Sequence, residues 1–79
     1  MSPTVLRVGP YRLFFFSNDA GEPPHIHVER EASVAKFWLK PVELARSNGF
    51  SHVEVRRIES IVSENVIDLL EAWDEFFTG

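Results

Sequence analysis

The stretch Pro23-Pro24-His25-Ile26-His27-Val28-Glu29 holds two of the chain's three histidines and a carboxylate, each separated from the next by one apolar residue. Imidazoles titrate near neutral pH and also ligate transition metals. Two chemistries suit the pattern. In the first, His25 and His27 are the general base and general acid of an attack on a phosphodiester. Lys36 then stabilises charge on the phosphoryl group and Trp38 stacks on a base. In the second, His25, His27 and Glu29 hold a divalent transition metal as a two-histidine, one-carboxylate set. Residues two apart on a strand start about 7 Å from one another, so both imidazoles can converge on one ion. Three ligands along one strand do not close around an ion, so another element has to contribute, with Asp19 and Glu22 in the preceding loop as candidates. The plain alternative is that the histidines are solvated strand residues or interface contacts.

The elements that position these residues follow from hydrophobic period and turn chemistry. Thr4–Val8 is β-branched and apolar, and Gly9-Pro10 punctuates it. Tyr11–Ser17 is aromatic and apolar and reads as a second strand. Asn18 to Pro24 is dense in turn formers and reads as a loop whose prolines stiffen the approach to an edge strand. His25–Glu29 and Ser33–Leu39 alternate, with a turn at Arg30–Ala32 between them, and Pro41 ends the second of the two. Val42–Ala45 fits a short fifth strand or a single helical turn and is read as strand; Asn48-Gly49 is a turn. Ser51-His52-Val53-Glu54 then matches a capping box, in which Ser51 caps the helix and Glu54 reaches back. Val55, Ile58 and Val62, followed by Val66, Leu69, Trp73 and Phe76, keep helical spacing. Ser63-Glu64-Asn65 breaks the stripe, which predicts helices over 52–63 and 66–77. Strands first and helices second give an α+β fold: an antiparallel sheet of four to five strands, with two C-terminal helices packed on one face, as one domain over 1–79.

Register follows from keeping the apolar sets of the third and fourth strands together. Val28 then lies opposite Ala35 and Ile26 opposite Phe37. On the other face His27 lies opposite Lys36 and His25 opposite Trp38. The expectation is a surface cluster of His25, His27, Glu29, Lys36 and Trp38 on the face away from the helices. Alternation through Phe14-Phe15-Phe16 sends Phe15 to one face and Phe14 and Phe16 to the other. With Arg12 and Trp38, Phe14 and Phe16 are the candidate partner-binding residues, for a dimer or a complex. His52, at a helix start where imidazolium is disfavoured, reads as surface. Trp73 reads as core and Arg56-Arg57 as solvated.

Composition removes several classes. The chain has no cysteine, so disulfides, thiolate metal sites and cysteine nucleophiles are out. No apolar run approaches the ~20 residues of a membrane helix, and Met1 to Thr4 does not open a signal peptide, so a cytoplasmic protein without membrane contact is expected. Net charge is −4. The first fifty residues are close to neutral, whereas 51–79 hold seven acids against Arg56 and Arg57. Generic nucleic-acid binding is therefore disfavoured, and a local contact through the first half is not.

The blocks "PTVLRVGPYRLFFFSNDAGEPPHIHVERE", "AKFWLKPVELARSNGFS" and "EAWDEFF" resemble a bacterial family known as domain of unknown function 4160. The resemblance covers nearly the whole chain, and His25 and His27 lie inside its signature block. It implies a toxin component of a type II toxin–antitoxin pair, with a cognate antitoxin-like small protein as partner. The resemblance names no target; a homodimer, and action on RNA including a ribonuclease-type activity, are expectations of the aromatic and histidine-bearing outer face. The resemblance carries no catalytic residue with it.

Overall fold

The structure is a computed structural model that describes residues 4–78, and the side chains of residues 4–77. The reading of Met1 to Pro3 as free of a signal peptide lies outside the described residues. The chain runs β1 (Thr4–Val8), β2 (Tyr11–Phe14), a 3₁₀ turn at Asp19–Gly21, β3 (His25–Arg30), β4 (Ser33–Leu39), β5 (Val42–Asn48), α1 (His52–Glu64) and α2 (Val66–Thr78). The five strands form one antiparallel meander in chain order. The α+β expectation is met, with the fifth strand present and longer than Val42–Ala45. No helix among the described residues is long and apolar enough to cross a membrane.

Short turns fix the meander. Gly9 supplies a positive φ between β1 and β2, and Glu31 adopts one between β3 and β4. The β3–β4 register is the expected one: His25 opposite Trp38, Ile26 opposite Phe37, His27 opposite Lys36 and Val28 opposite Ala35. A bulge in β5 places Arg46 opposite Lys36 and Leu44 opposite Phe37. Strand β3 is the centre of the sheet, not an edge, so Pro23-Pro24 leads into its best-protected position.

One face of the sheet supplies Tyr11, Leu13, Phe15, Ile26, Val28, Ala35, Phe37 and Leu39 to a core closed by Ile58, Val62, Leu69 and Trp73 from the helices. Each strand residue there is two positions from the next, as the pleat requires. Ser51 caps α1 by accepting from the Glu54 N–H at 3.2 Å. The expected reciprocal bond gives way to a tertiary one. The Glu54 carboxylate accepts from Arg30 Nε at 2.6 Å, from a terminal Arg30 nitrogen at 2.8 Å and from the Tyr11 hydroxyl at 2.8 Å. A bidentate guanidinium is a stronger partner than one backbone N–H, and it pins the start of α1 to β2 and β3. These bonds hold the Glu54 carboxyl below its ordinary range, Arg30 first and Tyr11 second. At Asn65 the helix stops, and the side chain donates to the Ile61 carbonyl at 2.8 Å.

Strand β2 ends at Phe14 rather than Ser17. Beyond it the chain leaves the ladder and turns across the sheet face that the helices do not cover. The turn is closed by Asp19 N–H to the Phe16 carbonyl at 3.1 Å and by Phe16 N–H to Asp19 Oδ2 at 2.8 Å.

Candidate functional site

The turn at 19–21 changes the character of the histidine face. His25 is 0% exposed, His27 8% and Lys36 6%, so the expected surface cluster is a covered one. His27 and Lys36 lie on the expected face, but covered; His25, at the start of β3, also packs on Trp73 of α2, a helix contact the expectation did not include. Alternation fixes which side of a sheet a residue occupies and says nothing about a loop that folds back over it. Four kinds of cover are present. The Asp19 carboxylate lies over both imidazoles. Glu22 pairs with the Lys36 ammonium. The rings of Phe14 and Phe16 lie 5.4 and 4.7 Å from that of His27. The rings of Trp73 and Trp38 lie 5.0 and 5.7 Å from that of His25.

Three donor groups converge under the loop. Asp19 Oδ2 is 3.1 Å from His25 Nε2 and 3.2 Å from His27 Nε2. One ligand atom from each residue lies within 4.8 Å of the other two. The carboxylate of this group is Asp19. Glu29, the expected third ligand, instead accepts from Arg12 at 2.7 Å, and Arg12 also donates to Thr4 Oγ1. In sequence Asp19 was one of two loop acids, with Glu22, that stood as candidates for a further ligand. What singles it out is its bond to Phe16 N–H, which turns its carboxylate over β3.

His25 Nδ1 is 2.9 Å from the Pro23 carbonyl oxygen. A carbonyl only accepts, so Nδ1 carries a proton and, in a neutral ring, Nε2 carries a lone pair. That Nε2 is buried without a hydrogen-bonded partner. The His27 imidazole is pushed towards its neutral form. Burial is the largest cause, and the charge of Asp19 opposes it. Lys36 holds the Glu22 carboxyl below its ordinary range through their hydrogen bond, and its ammonium lies 4.6 Å from the centre of the Trp38 ring.

Beside the covered cluster is an open one. A pocket of 230 Å³ is lined by Phe14, Phe16, His27, Lys36, Arg46 and Asn48, among others. Phe16 is 44% exposed and Val34 41%, so its rim is apolar as well as cationic. By register, the strands turn Arg7, Arg12, Lys36 and Arg46 to this face against the carboxylates Glu29 and Glu43. Arg46 was not among the expected site residues, because its place opposite Lys36 depends on the β5 bulge.

Residues 11–74 match the family model described as Domain of unknown function (DUF4160). The chain belongs to this family. The DUF4160 match takes in Asp19, His25, His27, every pocket residue named above, and Trp73 behind His25. No curated protein and no solved structure matches the chain.

Of the expected site residues, the fold brings His25, His27, Lys36, Trp38, Phe14 and Phe16 into one neighbourhood. Arg12 and Glu29 lie beside it as an ion pair whose guanidinium rests 4.4 Å from the Phe14 ring centre. Two-histidine acid–base catalysis requires both imidazoles to reach the substrate. His25 has no exposed surface, and Lys36 is neutralised by Glu22. What the open face offers is recognition: the exposed ring of Phe16, backed by the covered rings of Phe14 and His27, and a guanidinium at Arg46.

Proposed function

We propose that this DUF4160 domain is the toxin-like component of a bacterial toxin–antitoxin pair, and that it works in the cytoplasm by binding RNA on the sheet face opposite the helices. A small cognate protein neutralises it by covering the same face. The observation that carries this reading is the aromatic and cationic pocket bounded by Phe14, Phe16 and Arg46. Stacking on a ring tolerates any base, and a guanidinium beside it meets the phosphate. At 230 Å³ the pocket is smaller than the ~300–1,000 Å³ of drug-sized sites, which fits one base rather than a folded duplex. Arg12 and Lys36 on this face are paired with Glu29 and Glu22, so the cation offered at the pocket is Arg46, on a face that is near neutral although the chain's net charge is −4.

The test is expression in a bacterial host alone and together with the neighbouring gene, with binding of a fluorescein-labelled oligouridine followed by anisotropy. Growth arrest relieved by the neighbour, and RNA binding lost in Phe16→Ala and Arg46→Ala, is the expected result. No growth effect and no RNA binding by the wild-type chain would refute the proposal. Retained RNA binding in both variants would remove the pocket from it.

A further inference from the structure

We propose that Asp19, His25 and His27 form a site for one divalent first-row transition-metal ion, which ties the Asp19–Gly21 turn to the central strand. The site lies under the loop and does not rest on the RNA reading, although His27 and, through Asp19, Phe16 also line the open pocket.

Four observations carry it. The first is convergence: Asp19 Oδ2 stands 3.1 Å from His25 Nε2 and 3.2 Å from His27 Nε2. Bonds of ~2.0–2.1 Å in a tetrahedral shell separate neighbouring donors by about 3.3 Å. Each carboxylate–imidazole pair already has nearly that spacing; the three donor atoms lie within 4.8 Å of one another, and an ion would draw the two imidazoles together.

The second is the orphaned nitrogen. With Nδ1 donating to the Pro23 carbonyl, a neutral His25 aims a lone pair at a carboxylate oxygen that also carries lone pairs. The nitrogen is buried and has no hydrogen-bonded partner. Two facing acceptors repel unless something positive lies between them, and leaving a buried acceptor unmet costs ~1–3 kcal/mol. A cation satisfies both at once.

The third is outer support. Metal-bound histidines commonly donate their other ring N–H to a carbonyl, which fixes the tautomer. The Pro23 carbonyl does this for His25 at 2.9 Å. Phe16 N–H steadies the Asp19 carboxylate at 2.8 Å.

The fourth is the enclosure. The rings of Phe14, Phe16, Trp38 and Trp73 surround the imidazoles, so the group is held in an apolar shell.

The donor set selects the ion. Two imidazoles and one carboxylate suit zinc, cobalt, nickel, iron or manganese, whereas magnesium and calcium prefer all-oxygen shells. Three protein ligands leave at least one position for a water. The remaining histidine, His52, is exposed on α1 and serves as an internal control.

The experiment uses the full chain without a polyhistidine tag, stripped with a chelator and titrated with zinc. Isothermal titration should show one ion per chain. At a hundredfold excess over the dissociation constant the thermal midpoint should rise by about 10 °C or more. Asp19→Asn keeps an acceptor for Phe16 N–H and should weaken zinc binding more than tenfold. His52→Ala should leave it unchanged. Nitrogen NMR of the native chain keeps the proposal falsifiable should the variant not fold: zinc should move the Nε2 signals of His25 and His27 and leave those of His52 in place. No stoichiometric zinc or cobalt binding overturns the proposal. So does binding that survives Asp19→Asn, or a His25 ring doubly protonated at neutral pH whose signals ignore zinc; in that case a proton occupies the gap.

Discussion

Phe14, Phe15 and Phe16 are adjacent in sequence and differ in surroundings, so truncating each in turn tests the two-faced sheet. Phe15 is 1% exposed and meets the rings of Trp73, Phe76 and Phe77 at 5.2, 6.1 and 5.8 Å. It fixes the second half of α2 to the sheet. Phe15→Ala should cost ~3–5 kcal/mol, the transfer term plus the cavity left behind. Phe14 is 4% exposed although it lies away from the helices, packed on Phe16, His27 and Arg12. Its truncation should cost about 3 kcal/mol, at the lower end of the same range. Phe16 is 44% exposed, so a little over half of a full phenylalanine burial is at stake. Full burial is worth ~1.5–3 kcal/mol, so Phe16→Ala should cost about 1 kcal/mol. A domain of this size has about 4–12 kcal/mol in all, so Phe15→Ala stands near the edge of folding and Phe16→Ala does not. Urea unfolding of the chelator-treated chain, followed by circular dichroism at 25 °C, measures the series. With a slope of about 1 kcal/mol per molar, the midpoints should fall by about 3 M or more, about 3 M and about 1 M for Phe15, Phe14 and Phe16. A Phe14→Ala cost below that of Phe16→Ala would refute the covered outer face. A Phe16→Ala cost equal to that of Phe15→Ala would show that Phe16 is a core residue and would disqualify it as a probe of RNA binding.

Three further outcomes follow from the scaffold. Ser51→Ala removes the cap on α1 and should cost ~0.5–2 kcal/mol in the same urea assay. Because Arg30 and Tyr11 depress the Glu54 carboxyl, its contribution to stability is complete above its ordinary value of 4.5 and is lost as pH falls through the folded value; Glu54→Gln should flatten this acid limb in thermal melts between pH 5 and 3. Gly49 has φ +97°, and a Cβ there would lie 2.5 Å from Ser33 Oγ, so Gly49→Ala should destabilise by more than ~1 kcal/mol, read as a fall in the thermal midpoint, whereas Gly9→Ala meets open space and carries only the positive-φ strain.

Much of the fold was legible because its information is local. The period of two through His25–Glu29 and Ser33–Leu39 fixed face and register together, since a slip by one residue would have turned the histidines into the apolar core. Ser51 and the Ser63-Glu64-Asn65 break bounded the helices to within a residue. The misreadings were non-local. Phe15, Phe16 and Ser17 keep a strand-like composition, yet the ladder ends at Phe14 because the chain turns across the sheet. Glu54 fits a capping box by spacing and is taken by Arg30, twenty-four positions earlier. Glu29 lies on the histidine face, yet Arg12 of the neighbouring strand claims it. For Glu54 and Glu29 a partner from another element outbid the local one, and no window of sequence contains that competition; the turn after Phe14 is closed locally by Phe16 and Asp19, which composition did not reveal.

The same turn that hides the histidines also builds the pocket beside them. Asp19 Oδ2 accepts from Phe16 N–H at 2.8 Å, and the Phe16 ring is a wall of the pocket. The ring of His27 closes the pocket on one side, while its Nε2 faces Asp19 on the other. Whatever fixes Asp19 therefore fixes the aromatic wall on which a base would stack, through one residue and one hydrogen bond. This explains a feature that neither reading accounts for alone: two histidines sit on the central strand of the sheet, where a valine would pack at lower cost. Buried polar groups are expensive unless satisfied, and at His25 Nδ1 has the Pro23 carbonyl while Nε2 has only the Asp19 carboxylate at 3.1 Å, outside hydrogen-bond geometry. An ion on the group proposed above would hold the turn in register with the central strand. Here the thing held is the loop carrying Phe16, the aromatic wall most exposed to a partner.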